Sequence, residues 1–283
     1  MIKEYDLRFY GPSASTTNQE LYEKYVDQIY QIVVDCGLFT SVVKNKPAEL
    51  PETDPYTAYS VEAYIDEDKV LQFELAGNVT LSGNNKMLPY TRIRAYYSHG
   101  VYSVSCKPTT QGITSWLHMG LSHAYVTSNG VFFKMGMYYS GSGGITRYGN
   151  SGILIAKSNK RCPMIVIPGE VGTVSKESNE RSTDLRCHMY YIISVNYDDE
   201  SYLMSADSQY QADEKQYNYS TTAKQTMLFP FIAYGDVNYD YSYSKYACWM
   251  PYAPDTIRSG GFQKVLINGK AYVIDGYFAL RDD

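Results

Sequence analysis

Oxygen-bearing side chains stand at alternate positions in Asp236-Val237-Asn238-Tyr239-Asp240. A calcium loop opens with that spacing, because alternate residues turn their oxygens toward one centre. The rest of such a loop is missing. Tyr241 stands where the turn glycine belongs and Ala247 where the closing glutamate belongs. Asp236, Asn238 and Asp240 are therefore a partial ligand set. The same run also fits an alternating strand, with Val237, Tyr239, Tyr241 and Tyr243 on one face.

Other chemistry is fainter still. His99, His118, His123 and His188 share no zinc-ligand spacing, and Cys187-His188, being adjacent, point to opposite faces of a strand. Cys36, Cys106, Cys162, Cys187 and Cys248 are odd in number, widely spaced and without C-x-x-C, which fits reduced thiols. There is no G-x-S-x-G elbow. The glycines of Ser140-Gly141-Ser142-Gly143-Gly144 lack the Gly-Lys-Ser/Thr ending of a phosphate loop and read as a flexible surface loop. No carboxylate pair stands out as acid and nucleophile, and no motif asks for a cofactor. An enzyme is the third-ranked class.

What does stand out is tyrosine: 31 residues against nine phenylalanines and two tryptophans. Its ring has an apolar body and a polar tip, which suits surfaces that are wet at one stage and buried at another. The clusters 239/241/243/246, 217/219, 190/191, 138/139 and 96/97 can serve a subunit interface, a cross-strand ladder or a sugar-stacking platform, ranked in that order. Tyr239, Tyr241, Tyr243, Tyr246 and Trp249 are the interface candidates.

The composition is globular, with 44% hydrophobic and 19% charged residues. A net charge of −5 without a basic run argues against a nucleic-acid partner. No stretch reaches the roughly 18 apolar residues of a membrane helix, so membrane insertion is not expected. Met1 to Leu7 carries no basic segment followed by an apolar run, so no secretory leader is expected and folding in a cytoplasm is.

The elements that would position these residues are mostly strands. One helix is expected: Thr17-Asn18-Gln19-Glu20 has capping-box form, Leu21, Tyr25, Ile29 and Ile32/Val33 follow at helical spacing, and Gly37 ends it. Tyr5 to Tyr10 reads as a strand before it. The three prolines between Lys44 and Pro55 read as a loop. Hairpins follow at 59–65/69–75, 91–97/101–106, 124–127/131–137 and 265–267/271–274, with a further pair at 152–156 and 164–167 and a strand over 188–195. Ser128-Asn129-Gly130 and Asn268-Gly269-Lys270 are turn signals, since Asn and Gly tolerate positive φ. In the last hairpin, Val265 and Ile267 are expected on one face and Tyr272 and Ile274 on the other. Tyr277 to Leu280 adds a strand, and 198–226 reads as a long surface loop. The expected fold is mainly β (α+β): antiparallel, hairpin-rich, sandwich-like sheets with one N-terminal amphipathic helix. Residues 1–50 form a strand-plus-helix segment and 51–283 a β-rich domain, with the two able to pack as one unit.

The C-terminal third carries a resemblance. Phe229-Pro230-Phe231-Ile232-Ala233-Tyr234-Gly235 precedes Ala247-Cys248-Trp249-Met250-Pro251. Val265 to Ile274 then leads into Asp275-Gly276-Tyr277-Phe278-Ala279-Leu280-Arg281-Asp282. With Gly130 to Gly136 and Gly152 to Asn159, these segments resemble virion proteins of tailed bacteriophages from the tail or baseplate region. The resemblance covers residues 120–160 and 229–282 and implies no catalytic residues. It implies a structural component of the tail, baseplate, collar or head–tail junction. Such a protein assembles in the host cytoplasm with copies of itself and other virion proteins. The alternative is a carbohydrate-binding module for a bacterial surface glycan.

Overall fold

The computed structural model describes residues 2–7, 17–48, 59–80, 87–98, 100–106, 118–141, 144–147, 151–168, 192–198, 227–234, 241–252, 263–275 and 278–283. In chain order the elements are β1 (Lys3–Asp6), α1 (Asn18–Asp35), β2 (Ser41–Asn45), β3 (Ser60–Ile65), β4 (Asp68–Thr80), β5 (Met87–Tyr97) and β6 (Gly100–Cys106). They continue with β7 (His118–Thr127), β8 (Gly130–Gly141), β9 (Gly144–Arg147), β10 (Ser151–Ala156), β11 (Met164–Pro168) and β12 (Ile192–Val195). The last are β13 (Met227–Tyr234), β14 (Tyr241–Tyr252), β15 (Gln263–Ile267), β16 (Lys270–Asp275) and β17 (Phe278–Arg281).

The helix starts where its first orphan donors find partners. Thr17 Oγ1 accepts from the Glu20 N–H at 3.1 Å, and Glu20 Oε2 accepts from the Thr17 N–H at 2.6 Å. This is the capping box expected from the sequence. Leu21, Tyr22, Tyr25, Val26, Ile29, Ile32 and Val33 line one buried face. Gly37 takes a φ of +64° after the last turn.

Turns behave less uniformly. Asn268 and Gly269 have φ values of +52° and +75°, the primed geometry that matches strand twist. Ser128-Asn129-Gly130 also closes a hairpin, with Thr127 paired to Gly130. Asn129 has no positive φ there. Its buried side-chain amide instead donates to the backbone oxygens of Arg281 at 3.2 Å and Asp283 at 2.6 Å. The same dipeptide is a turn former at one site and a tether between distant segments at the other.

Three expectations need correction. Of the Gly-rich segment, Ser140 and Gly141 are strand residues of β8 and Gly144 opens β9, with Gly141 paired to Gly144, while residues 142 and 143 lie outside the described residues. Lys44 and Asn45, read as the start of a loop, are the end of a strand, Ser41–Asn45, paired with β3. In the last hairpin, Val265 pairs with Tyr272 and Gln263 with Ile274. Directly opposed residues share a face, so Val265, Ile267, Tyr272 and Ile274 lie together and Val273 faces the other way. The segments 188–191 and 199–226 lie outside the described residues.

Three antiparallel sheets result, with α1 the one helix among the described residues. The central sheet runs β1-β7-β8-β10-β11-β12, with β9 also on β8. The second runs β2-β3-β4-β5-β6 and the third β13-β14-β17-β16-β15. One face of the central sheet, with Phe133, Ile153, Ile155 and Ile165, shares a core with α1 and the second sheet. The Phe73 and Phe133 rings meet at 5.0 Å across that boundary. The other face, with Phe132, Leu154, Met164 and Val166, packs on Ala247, Val273 and Leu280 of the third sheet. The N-terminal strands join sheets formed further along the chain, β1 at β7 and β2 at β3.

Two glycines give a matched test. A Cβ on Gly130 would lie 2.0 Å from the Ile155 carbonyl oxygen, whereas one on Gly269 meets nothing within 4 Å. Gly130→Ala should cost on the order of 3 kcal/mol, from strain and backbone displacement together. Gly269→Ala should cost about 1 kcal/mol, for the left-handed φ alone. Urea unfolding of both variants measures the two values, and equal losses would remove the close-approach argument.

Candidate functional site

Among the residues singled out by sequence, Asp236, Asn238, Tyr239 and Asp240 lie outside the described residues. Among the described residues, no group of three or more His, Cys, Asp or Glu side chains could hold a metal ion. Tyr241 and Trp249 lie on β14, opposite Tyr234 and Phe229 of β13. Tyr243 is exposed, and the Tyr246 ring is half-buried between Lys245 Nζ at 5.2 Å and the Arg281 guanidinium at 5.6 Å.

A bulge sets this arrangement. Phe231 pairs with Ser244 but Pro230 with Cys248, so three residues of β14 have no counterpart. Ser244 Oγ holds the bulge by accepting from the N–H groups of Tyr246 and Ala247 and donating to the Lys157 carbonyl at 2.7 Å. Asn159 clamps Tyr243 on both backbone groups. The tyrosine corner is thus built where the chain leaves β10 and meets the third sheet.

Arg161 forms the densest ionic node. Its guanidinium reaches Asp66 at 2.9 Å, Asp68 at 2.7 Å and Asp198 at 3.0 Å. Tyr197 donates to Asp68 at 2.9 Å, and the Cys162 N–H to Asp198 at 2.8 Å. The node ties the β3–β4 turn of the second sheet to the β10–β11 connection of the central one. The hydrogen bond from Arg161, and then that from Tyr197, holds the Asp68 carboxyl below its ordinary value. Burial pushes the neighbouring Cys162 thiol up to about 12. Cys36 and Cys248 are also free, buried and raised by burial, so none of the three is an activated nucleophile.

The outward face of β3, β4 and β5 carries a second polar network. Gln72 Oε1 accepts from Arg94 and Tyr96, both at 2.8 Å, while its amide donates to Glu62 at 2.9 Å. Tyr64 and Lys69 also donate to Glu62, and Arg94 pairs with Glu74 at 2.9 Å. Donating to Glu62 raises the Tyr64 hydroxyl to about 12. Two tyrosine rings therefore stand among carboxylates, an amide and guanidinium groups.

The sheet edges show what the sequence reading missed. Among the described residues the exposed large apolar side chains are Val34, Val43, Val101, Tyr243 and Leu266. Val43, Val101 and Leu266 lie on β2, β6 and β15, each a terminal strand of its sheet. Leu266 is 76% exposed. Its signal was in the sequence: Val265-Leu266-Ile267 is a continuous apolar run where a half-buried hairpin calls for alternation. Arg161 left no such signal, because its partners lie 37 to 95 positions away.

The Arg161 node predicts an acid response. A carboxyl depressed in the folded state adds stability above its unfolded value, near 3.9, and that stability is lost as pH falls through the folded value. The urea midpoint of the parent should therefore drop between about pH 5 and about pH 2, and drop less steeply in Arg161→Gln. Superimposable acid profiles would show that the node contributes nothing to acid stability.

No protein-family model, curated protein or solved structure matches the chain.

Proposed function

We propose that this protein is a structural component of a tailed-phage particle, in the tail, baseplate, collar or head–tail junction. It assembles there with copies of itself and with other virion proteins. The observation that carries the assembly role is the placement of exposed apolar side chains on terminal strands of the second and third sheets. A terminal strand presents backbone donors and acceptors to any second strand, and an apolar side chain beside them favours closure. The particle assignment rests on the segments over 120–160 and 229–282 that resemble tail and baseplate proteins.

A second reading, recognition of a bacterial surface glycan, draws on Tyr64 and Tyr96 among Glu62, Gln72 and Arg94. These groups already satisfy one another, so a sugar would have to compete for them. That places this reading second.

Light scattering during size-exclusion chromatography tests the assembly role. An oligomer burying more than about 1,000 Å2 is expected, with a mass that rises with concentration. Gradient-purified particles from the source should contain peptides of this chain. A monomer at every concentration, absent from particles, would end the assembly reading. Saturation-transfer binding to cell-wall glycans that Tyr96→Ala abolishes would favour the second.

A further inference from the structure

We propose that β15 is a self-association strand that pairs antiparallel with β15 of a second copy across a two-fold axis at Leu266. The inference rests on the assembly reading and names its surface. Ile267 and Lys270 flank the two-residue turn and exchange hydrogen bonds, and the register continues unbroken through Val265–Tyr272 and Gln263–Ile274. Inward and outward backbone groups alternate along an antiparallel strand, so the Leu266 N–H and C=O point away from β16, to the side where β15 has no partner strand among the described residues.

The edges of this sheet are unequal. β13, at one end, contains Pro230, which has no N–H, and its pairing with β14 shifts register twice. Such features blunt an edge against pairing. β15 has no proline or bulge and one charged side chain, Lys264, and its tight turn holds it in place. It leaves its most exposed apolar residue there, Leu266, on the face that elsewhere in the sheet packs on the central layer.

A second copy is the occupant because the run is self-complementary. With the axis at Leu266, that residue opposes itself and exchanges both backbone bonds. Val265 then opposes Ile267 of the second copy, and Ile267 opposes Val265. Apolar cross-strand pairs of this kind stabilise a sheet. Val265 and Ile267 are half-buried at the margin of the small cluster of Cys248, Tyr272, Ile274 and Ala279, so the second copy extends that cluster. Lys264 falls opposite Asn268 of the second copy, so no like charges are opposed. Each five-stranded sheet becomes half of a continuous ten-stranded one.

Charge reversal on the axis tests this. Leu266 is exposed, so Leu266→Lys and Leu266→Glu leave the fold intact, which circular dichroism and the urea midpoint verify. Each variant alone places like charges directly opposite and should lose the self-association of the parent in light scattering. An equimolar mixture should regain it as a mixed dimer that weakens with salt. Association of either variant alone at the parent's level, or a mixture that stays monomeric, would overturn the β15 pairing while leaving assembly through another surface. A parent that is monomeric at every concentration would overturn both.

Discussion

Everything in this fold follows from a central sheet that is apolar on both faces. In β10, Ile153 and Ile155 face one side and Leu154 and Ala156 the other, and all four are at most 1% exposed. Burying a large aliphatic side chain stabilises by about 1.5–3 kcal/mol, and leaving it wet forfeits as much. An antiparallel sheet can keep one polar face in water, and this one does not. It requires two covers. The segment before it supplies α1 and the second sheet, and the segment after it supplies the third. Apart from β1, which joins the central sheet at β7, chain order becomes layer order, with the middle of the sequence in the middle of the stack.

Apolar burial is non-directional, so it brings layers together without fixing how they sit. Polar contacts at the rims do that. Arg161 joins the β3–β4 turn to the β10–β11 connection, and Ser244 and Asn159 fasten the β14 bulge to the exit of β10. Thr127 and Asn129 hold the backbone after β17. Exposed ion pairs contribute little each to stability. The value of the contacts just named is geometric: Arg161 with Asp66 and Asp68, Ser244 with Lys157, Asn159 with Tyr243 and Asn129 with Arg281 each link two different layers, so a slip between layers breaks several at once.

That division explains what could be read from the sequence. Helix and hairpins are local, and their caps, periods and turns are written in neighbouring residues: Thr17 with Glu20, Asn268 with Gly269. β2 was hidden because Ser41 to Asn45 shows only a short alternation and gains its strand state by pairing with β3. The β8–β9 hairpin was hidden because glycines weaken any period. The role of Asn129 was masked by a turn signature that fits its position for a different reason. Partner strands, layer contacts and the Arg161 node depend on residues far apart in sequence, and no local pattern encodes them. Among the interface candidates, Tyr243 pairs in register with Ile232, while Tyr246 falls within a bulge that strict alternation could not foresee.

The tyrosine excess takes on another meaning in this light. Tyr22, Tyr25, Tyr59, Tyr125 and Tyr272 are core residues. Tyr5 and Tyr197 lie at the rim, where each ring packs against the core and each hydroxyl donates to a carboxylate, Asp35 and Asp68, while Tyr64 on the outward face of β3 donates to Glu62. Phenylalanine would fill the same volume and leave those carboxylates short of a donor. Some of the tyrosines therefore serve the core and its rim within one copy. Composition alone pointed to surface chemistry in general. The surface proposed for self-association is marked by a different residue, an exposed leucine on a strand that is terminal among the described residues, because a sheet edge offers unpaired backbone as well as apolar area and a tyrosine-lined face offers only the second.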